Sequence, residues 1–192
     1  MKYLVFDTET TGLSNKANVL TAYFMVLSMD IKREDSLYLK IKHETYHIEP
    51  KAMEINGIDL EIHETQATTL EESRNILDTF LAKNEGPYIP FGQNIYFDLR
   101  ALKWNGLLDP VPELVLDPVL DTMFIGRHLK DLGLIDQYKS LSLTKIAKAL
   151  GLRVSKRKAH TADYDVKLTI KVFKKYKELL GTFNLNNNVL NK

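Results

Sequence analysis

Cysteine is absent from all 192 residues. That excludes disulfide staples, thiolate metal sites, cysteine nucleophiles and iron–sulfur ligation together. Long apolar runs are missing as well. The longest mostly apolar stretch, Val19 to Met29, falls short of the ~20 residues needed to span a bilayer. Behind Lys2 only four apolar residues precede Asp7, which is no secretory h-region, so the expected compartment is the cytoplasm, with no membrane partner. Charge of one sign is also lacking: 26 Lys+Arg stand against 25 Asp+Glu, a net charge of +1.

What is present suits a globular domain. Apolar residues make up 44% and charged residues 27% of the chain, and a chain this long buries roughly 70% of the surface exposed when unfolded. Tyr3 to Phe6, Val19 to Met29 and the alternating Leu37 to Ile41 read as three strands close enough for an antiparallel meander. Thr69 with Glu72 resembles a capping box opening a helix that Gly86-Pro87 stops. Tyr88 to Phe91 is a short strand, and its Pro90 argues against a central place in the sheet. Helical spacing returns from Phe97 to Trp104, and Asp121 to Leu129, Ser142 to Leu150 and Ala162 to Leu180 read as further helices. Asp109 to Pro118, with three prolines, reads as loop. These elements predict an α/β or α+β domain over residues 1–180, followed by a flexible Asn-rich tail over 181–192.

Three acidic segments carry the chemistry. In the first, Phe6 to Leu13, Asp7 and Glu9 lie two apart on extended backbone and so share a face. Adjacent carboxylates repel unless something positive sits between them, and a hard divalent cation does so with oxygen ligands. In the second, Gly92 to Leu99, Asp98 falls in the first turns of a helix among apolar neighbours. In the third, Thr161 can cap a helix whose first turns hold Asp165, while His160 stays on the preceding loop. Taken singly, each also reads as an ordinary strand end, a helix-dipole acid or a surface histidine.

In this order and spacing the three segments resemble the DEDDh exonucleases, the DnaQ-like group that includes epsilon-type proofreading subunits. The resemblance runs from about Lys2 to about Leu180. Asp7 and Glu9 match the first motif, Asp98 the second, and His160 with Asp165 the third, H-x-A-x-x-D. The sister DEDDy group has tyrosine four residues before the last aspartate, where this chain has Thr161, so the histidine form is the one matched.

The resemblance implies an α/β ribonuclease H-like fold with a mixed sheet, and hydrolysis of the terminal phosphodiester at a 3′ end. It implies two Mg²⁺ or Mn²⁺ ions, with Asp7, Glu9 and Asp165 holding the catalytic one and Asp7 and Asp98 the second. His160 becomes the general base, imidazole being the side chain that ordinarily titrates near neutrality. Thr10, Gly12 and Leu13 match the segment that holds the terminal nucleotide, Leu13 as an apolar wedge, and Asn94 matches a polar residue near the substrate strand. Single-stranded DNA is the expected substrate, with proofreading or DNA processing as its setting and a DNA polymerase as candidate partner. An exoribonuclease and a catalytically vestigial binding protein are the alternatives. Gln93 replaces a histidine common in relatives, and Leu20 to Tyr23 lacks a frequent acidic residue; both leave the subfamily open.

The balanced charge is unevenly spread. Residues 145–178 hold eleven Lys/Arg against three acids, a net +8, so the remainder carries −7. Lys156, Arg157 and Lys158, just before His160, are placed to grip a phosphate backbone.

Overall fold

The computed structural model describes residues 1–108, 118–135 and 140–190, with side chains described as far as residue 181. Three strands open the chain, β1 (Lys2–Thr10), β2 (Val19–Leu27) and β3 (Arg33–Lys42), paired antiparallel as the expected meander. Two short helices follow, α1 (Pro50–Asn56) and α2 (Leu60–Gln66), then β4 (Thr68–Thr69) and α3 (Leu70–Asn84). Next come β5 (Tyr88–Gly92), α4 (Ile95–Trp104), β6 (Leu120–Asp121), α5 (Thr122–Asp131), α6 (Leu143–Ala149) and α7 (Ala162–Leu190).

The mixed six-stranded sheet has the order β4-β3-β2-β1-β5-β6, with β5 parallel to β1 and β6 parallel to β5. Side-chain alternation divides it between two cores. Leu4 and Phe6 of β1 pack with Phe24, Val26 and helices α3 and α4. Val5 faces the other way, with Tyr23, Met25 and the start of α7. Helices α5 and α6 pack outside α7, where Gly126 leaves no room for a Cβ beneath the Tyr176 hydroxyl. All nine residues of β2 are buried. That explains its unbroken apolar run, because a strand covered on both faces has no polar side to show.

The capping box at Thr69 is complete: Glu72 N donates to Thr69 Oγ1 and Thr69 N donates back to the Glu72 carboxylate. Three expectations need revision. The sequence places β5 at an edge on account of Pro90, yet β5 lies between β1 and β6. β6 reaches it at Phe91 and Gly92, so among the described residues the outer flank beside Pro90 has no strand partner and the missing N–H is tolerated. Second, α1, α2 and β4 went unpredicted. Third, α7 continues past Leu180 to Leu190. The proline-rich stretch from Asp109 lies, up to residue 117, outside the described residues. Among the described residues no helix is long and apolar enough to cross a membrane.

Phe24 is fully buried, with its ring centroid 5.6 Å from that of Phe6. Phe24→Ala should therefore cost about 3–5 kcal/mol of stability, read as a lowered urea midpoint at unchanged slope.

Candidate active site

The alternation that sends Val5 toward α7 also sends Asp7 and Glu9 there, two and four residues further along β1. Asp165 arrives from the first turn of α7, adjacent to Val166 in the same packed layer. The three residues each present a carboxylate oxygen within 4.8 Å of the others. A register shift in the β1–β2 ladder falls between Glu9 and Thr10, at the end of this carboxylate pair, the kind of irregularity that re-aims a strand's side chains.

Asp98 comes from the opposite face, with α4. Parallel pairing of β1 with β5 stops at Val5, so beyond that point β1 has an open flank. Thr8, on the α4 side of β1 with Leu4 and Phe6, uses it: its backbone N and its hydroxyl both donate to Asp98 Oδ1, at 2.9 and 2.7 Å. Asp98 is thus buried at 3% exposure with one oxygen fixed. Thr8, the middle residue of the first motif, is not marked by the sequence, which singles out only its carboxylate neighbours.

A second missed residue is Asp121. It caps α5 through Met123 N (2.8 Å), and its two oxygens also accept from Asn94 N (2.9 Å) and Ile95 N (3.2 Å). One buried carboxylate therefore ties together the first residues of α4 and α5. The sequence marks it only as the start of a helix. This grip accompanies a left-handed Asn94, φ 58°.

His160 is the other non-glycine residue at the site with positive φ, at 66°. Such conformations cost about 1–3 kcal/mol and persist where the surroundings enforce them. Here the His160 backbone N donates to Asp165 Oδ2 at 3.2 Å. The His160 side chain is exposed and shares with Glu9 the lining of a cavity of about 190 Å³. Tyr38, Asn56 and His63 line the far wall. Asn56 Nδ2 donates to Thr10 O, and His63 Nε2 donates to Ile41 O, which fixes the α1–α2 segment against the sheet.

The Thr10 hydroxyl turns inward and donates to Gly12 O at 2.6 Å. Leu13 is 72% exposed, beside the motif rather than in the core. The Glu49 carboxylate accepts from Leu13 N and Ser14 N and lies against Gly12, where a Cβ would collide with it. The Asn94 side chain is exposed, as are Lys156, Arg157 and Lys158 in the turns before His160.

The acidic set is electrostatically costly. Burial, with repulsion from Asp98, Glu9 and Asp165, holds the Asp7 carboxyl well above the usual range. Burial, then Asp165 and Asp98, push Glu9 up to about 8. Burial raises Asp98 to about 7 against the pull of Thr8, and raises Asp165 to about 6 against the charge and amide of His160. Asp165 Oδ1 is buried without a hydrogen-bond partner. Hard oxygen donors, an orphaned carboxylate oxygen and mutual repulsion together fit a divalent cation.

The family model for exonucleases, RNase_T, matches residues 4–173. PolC-type DNA polymerase III of Ureaplasma parvum is 27% identical over 190 residues, covering 96% of this chain and 12% of that protein. The PolC-type enzyme of Clostridium perfringens is 30% identical over 181 residues, covering 92% and 12%. Among solved structures, Escherichia coli exonuclease I with a dT13 oligonucleotide matches with TM-score 0.78 at 19% identity, covering 95% of this chain and 42% of that one. Exonuclease I from Methylocaldum szegediense matches at 0.76 and 20%, covering 92% and 40%. The chain thus spans about an eighth of the curated relatives and about two-fifths of these structures. The ribonuclease H-like α/β fold implied by the sequence is the fold observed.

Between about pH 4 and about pH 8 the folded carboxyls retain protons that the unfolded chain has lost. The native state then binds more protons, so stability falls as pH rises through that window. In EDTA the melting temperature should drop from about pH 5 to about pH 8.5, with Mn²⁺ restoring more at the upper end. Glu9→Gln should flatten the profile; an EDTA profile already flat in the unmodified chain contradicts this account.

Proposed function

On the footing that this chain belongs to the RNase_T exonuclease family, we propose that it hydrolyses the terminal phosphodiester at the 3′ end of single-stranded DNA and releases nucleoside monophosphates. Residues 1–180 form the working unit in this reading. The observation that carries it is the convergence of Asp7, Glu9 and Asp165 with oxygens within 4.8 Å, beside Asp98 and an exposed His160.

Asp7, Glu9 and Asp165 hold one divalent cation, Mg²⁺ or Mn²⁺, with Asp165 Oδ1 available because nothing else engages it. Asp7 and Asp98 hold a second, Asp98 through the oxygen not taken by Thr8. When bound, such a pair supplies Lewis acidity to the attacking water and to the departing 3′ oxygen. His160 takes the water's proton on its imidazole ring. The loop geometry at φ 66° keeps that ring off the helix while its backbone N holds Asp165. The terminal nucleotide lies against Thr10, Gly12 and the exposed Leu13, whose loop Glu49 braces. Asn94 and the basic turn Lys156 to Lys158 meet the strand further back.

Support for DNA as substrate comes from the similarity to exonuclease I, solved with single-stranded DNA. The relatives named as PolC-type DNA polymerase III support proofreading or DNA processing, with a polymerase as partner.

Incubation of 5′-labelled single-stranded DNA, duplex DNA and RNA in Mg²⁺ should give a ladder that shortens from the 3′ end, fastest on single-stranded DNA and abolished by EDTA. Asp7→Ala should abolish it. His160→Ala should lower turnover by roughly 10²–10⁴-fold with little change in DNA affinity, and full activity in either variant sinks the assignment. Neutralising Lys156, Arg157 and Lys158 together should weaken binding and flatten the slope of log affinity against log salt by up to about 2. An unchanged slope means that the turn does not contact phosphate.

A further inference from the structure

The carboxylate cluster has two flanks. On one side lie β3, α1 and α2 with the cavity already described. The other side is built from the ends of β5 and β6. Because β1, β5 and β6 are parallel, their C-terminal ends share one edge of the sheet, the edge at which Asp7 and Glu9 stand. β5 ends at Gly92 and β6 at Asp121. The helices that follow each expose an aromatic side chain within their first turn: Tyr96 on α4 and Phe124 on α5, 46% and 40% exposed. Large apolar groups left half in water at two neighbouring helix starts contribute little to the core.

The two rings meet edge to face, with centroids 6.3 Å apart. The guanidinium of the exposed Arg127 lies 5.5 Å from the Phe124 centroid, and Arg100, one helical turn beyond Tyr96, is exposed as well. Among the described residues no carboxylate pairs with Arg127 or Arg100. Asp121 holds the arrangement rigid, because it accepts from the amides that begin both helices. The patch is therefore a fixed aromatic surface edged by exposed cations, at the sheet edge that carries the acidic cluster.

We propose that Tyr96, Phe124 and Arg127 form a stacking platform for single-stranded nucleic acid on the β6 side of the active site. It receives a base several nucleotides upstream of the 3′ end, with Arg127 and Arg100 meeting the adjoining phosphates. The chemistry matches what an unpaired strand offers: every base has a π-face, stacking is tolerant of sequence, and arginine adds both cation–π attraction and phosphate neutralisation. A platform beyond the cleft lets an oligonucleotide stay bound after its terminal nucleotide has left. This inference rests on the exonuclease reading for its substrate, but it concerns a different surface from that of the catalytic residues.

The test measures the affinity of the full chain for dT3 and dT12 in EDTA by fluorescence anisotropy. Tyr96→Ala/Phe124→Ala should weaken dT12 binding about tenfold or more and dT3 binding less than about twofold. Phe124→Trp should retain dT12 affinity, since an indole stacks at least as well. Arg127→Gln should lower the salt dependence for dT12 alone. Unaltered dT12 affinity in the double variant, at an unaltered melting temperature, overturns the platform. So does a change confined to oligomeric mass in light scattering, which makes the patch a protein contact instead. If the unmodified chain shortens no oligonucleotide while the double variant still loses dT12 affinity selectively, the platform stands and the exonuclease reading fails.

Discussion

Carboxylates held within 4.8 Å of one another in a half-dry corner repel, and the whole architecture is arranged to hold them there. Asp7, Glu9 and Asp165 converge within 4.8 Å; burial and repulsion drive the Asp7 and Glu9 carboxyls toward the protonated form, and burial does so for Asp165 against the opposing pull of His160. A flexible scaffold would relieve that stress by letting the groups drift apart. Here two of them stand on β1, between β2 and β5 and covered on both faces. The third stands at the start of the longest helix, where the helix dipole favours a negative charge. Rigidity of the sheet's inner strands is what makes an unfavourable cluster durable, and that cluster is what gives a cation its binding energy.

The two faces of β1 divide the work. Val5, Asp7 and Glu9 point toward α7, so one face passes from core to ligand set without a break. Leu4, Phe6 and Thr8 point toward α4, and Thr8 uses both its amide and its hydroxyl to fix Asp98. The early end of β1–β5 pairing is the condition for this, since a longer β5 would have claimed the Thr8 N–H for the ladder. Asp121 extends the same logic outward: a group that a local view identifies as a helix cap is shared between two helices. Thr8 and Asp121 therefore set both the position of α4 and the charge of Asp98 that it carries.

Much of this was legible in the sequence because it is local. The period-two alternation of β3 and the capping box at Thr69 depend on near neighbours, and each appears as read. What escaped depends on distant partners. Thr8 is unremarkable until Asp98, ninety residues away, arrives at its open flank. Pro90 carries a sound local argument for an edge strand, yet the short β6 leaves room for it inside the sheet. Helices α1 and α2 are seven residues each, too short to show a periodic face, and they are fixed instead by long-range bonds from Asn56 to Thr10 and His63 to Ile41. Glu49 belongs to the same group: its purpose is defined by the Gly12–Ser14 loop that it braces.

A net charge of +1 then says little about how an anionic strand is met, because screening limits each exposed charge to a range of about 8 Å at physiological ionic strength. Within that range an approaching strand encounters separate local fields. The carboxylate cluster repels phosphate unless cations fill it. The exposed turn from Lys156 to Lys158 lies on the α7 side, and Arg100 and Arg127 lie on the β6 side, so the repulsive centre is bracketed by attraction. A backbone drawn to both flanks passes across the edge that holds Asp7 and Glu9. Near-neutrality over the whole chain is thus compatible with steep local gradients. Those gradients would orient a strand across the site, which a uniformly basic surface would not do.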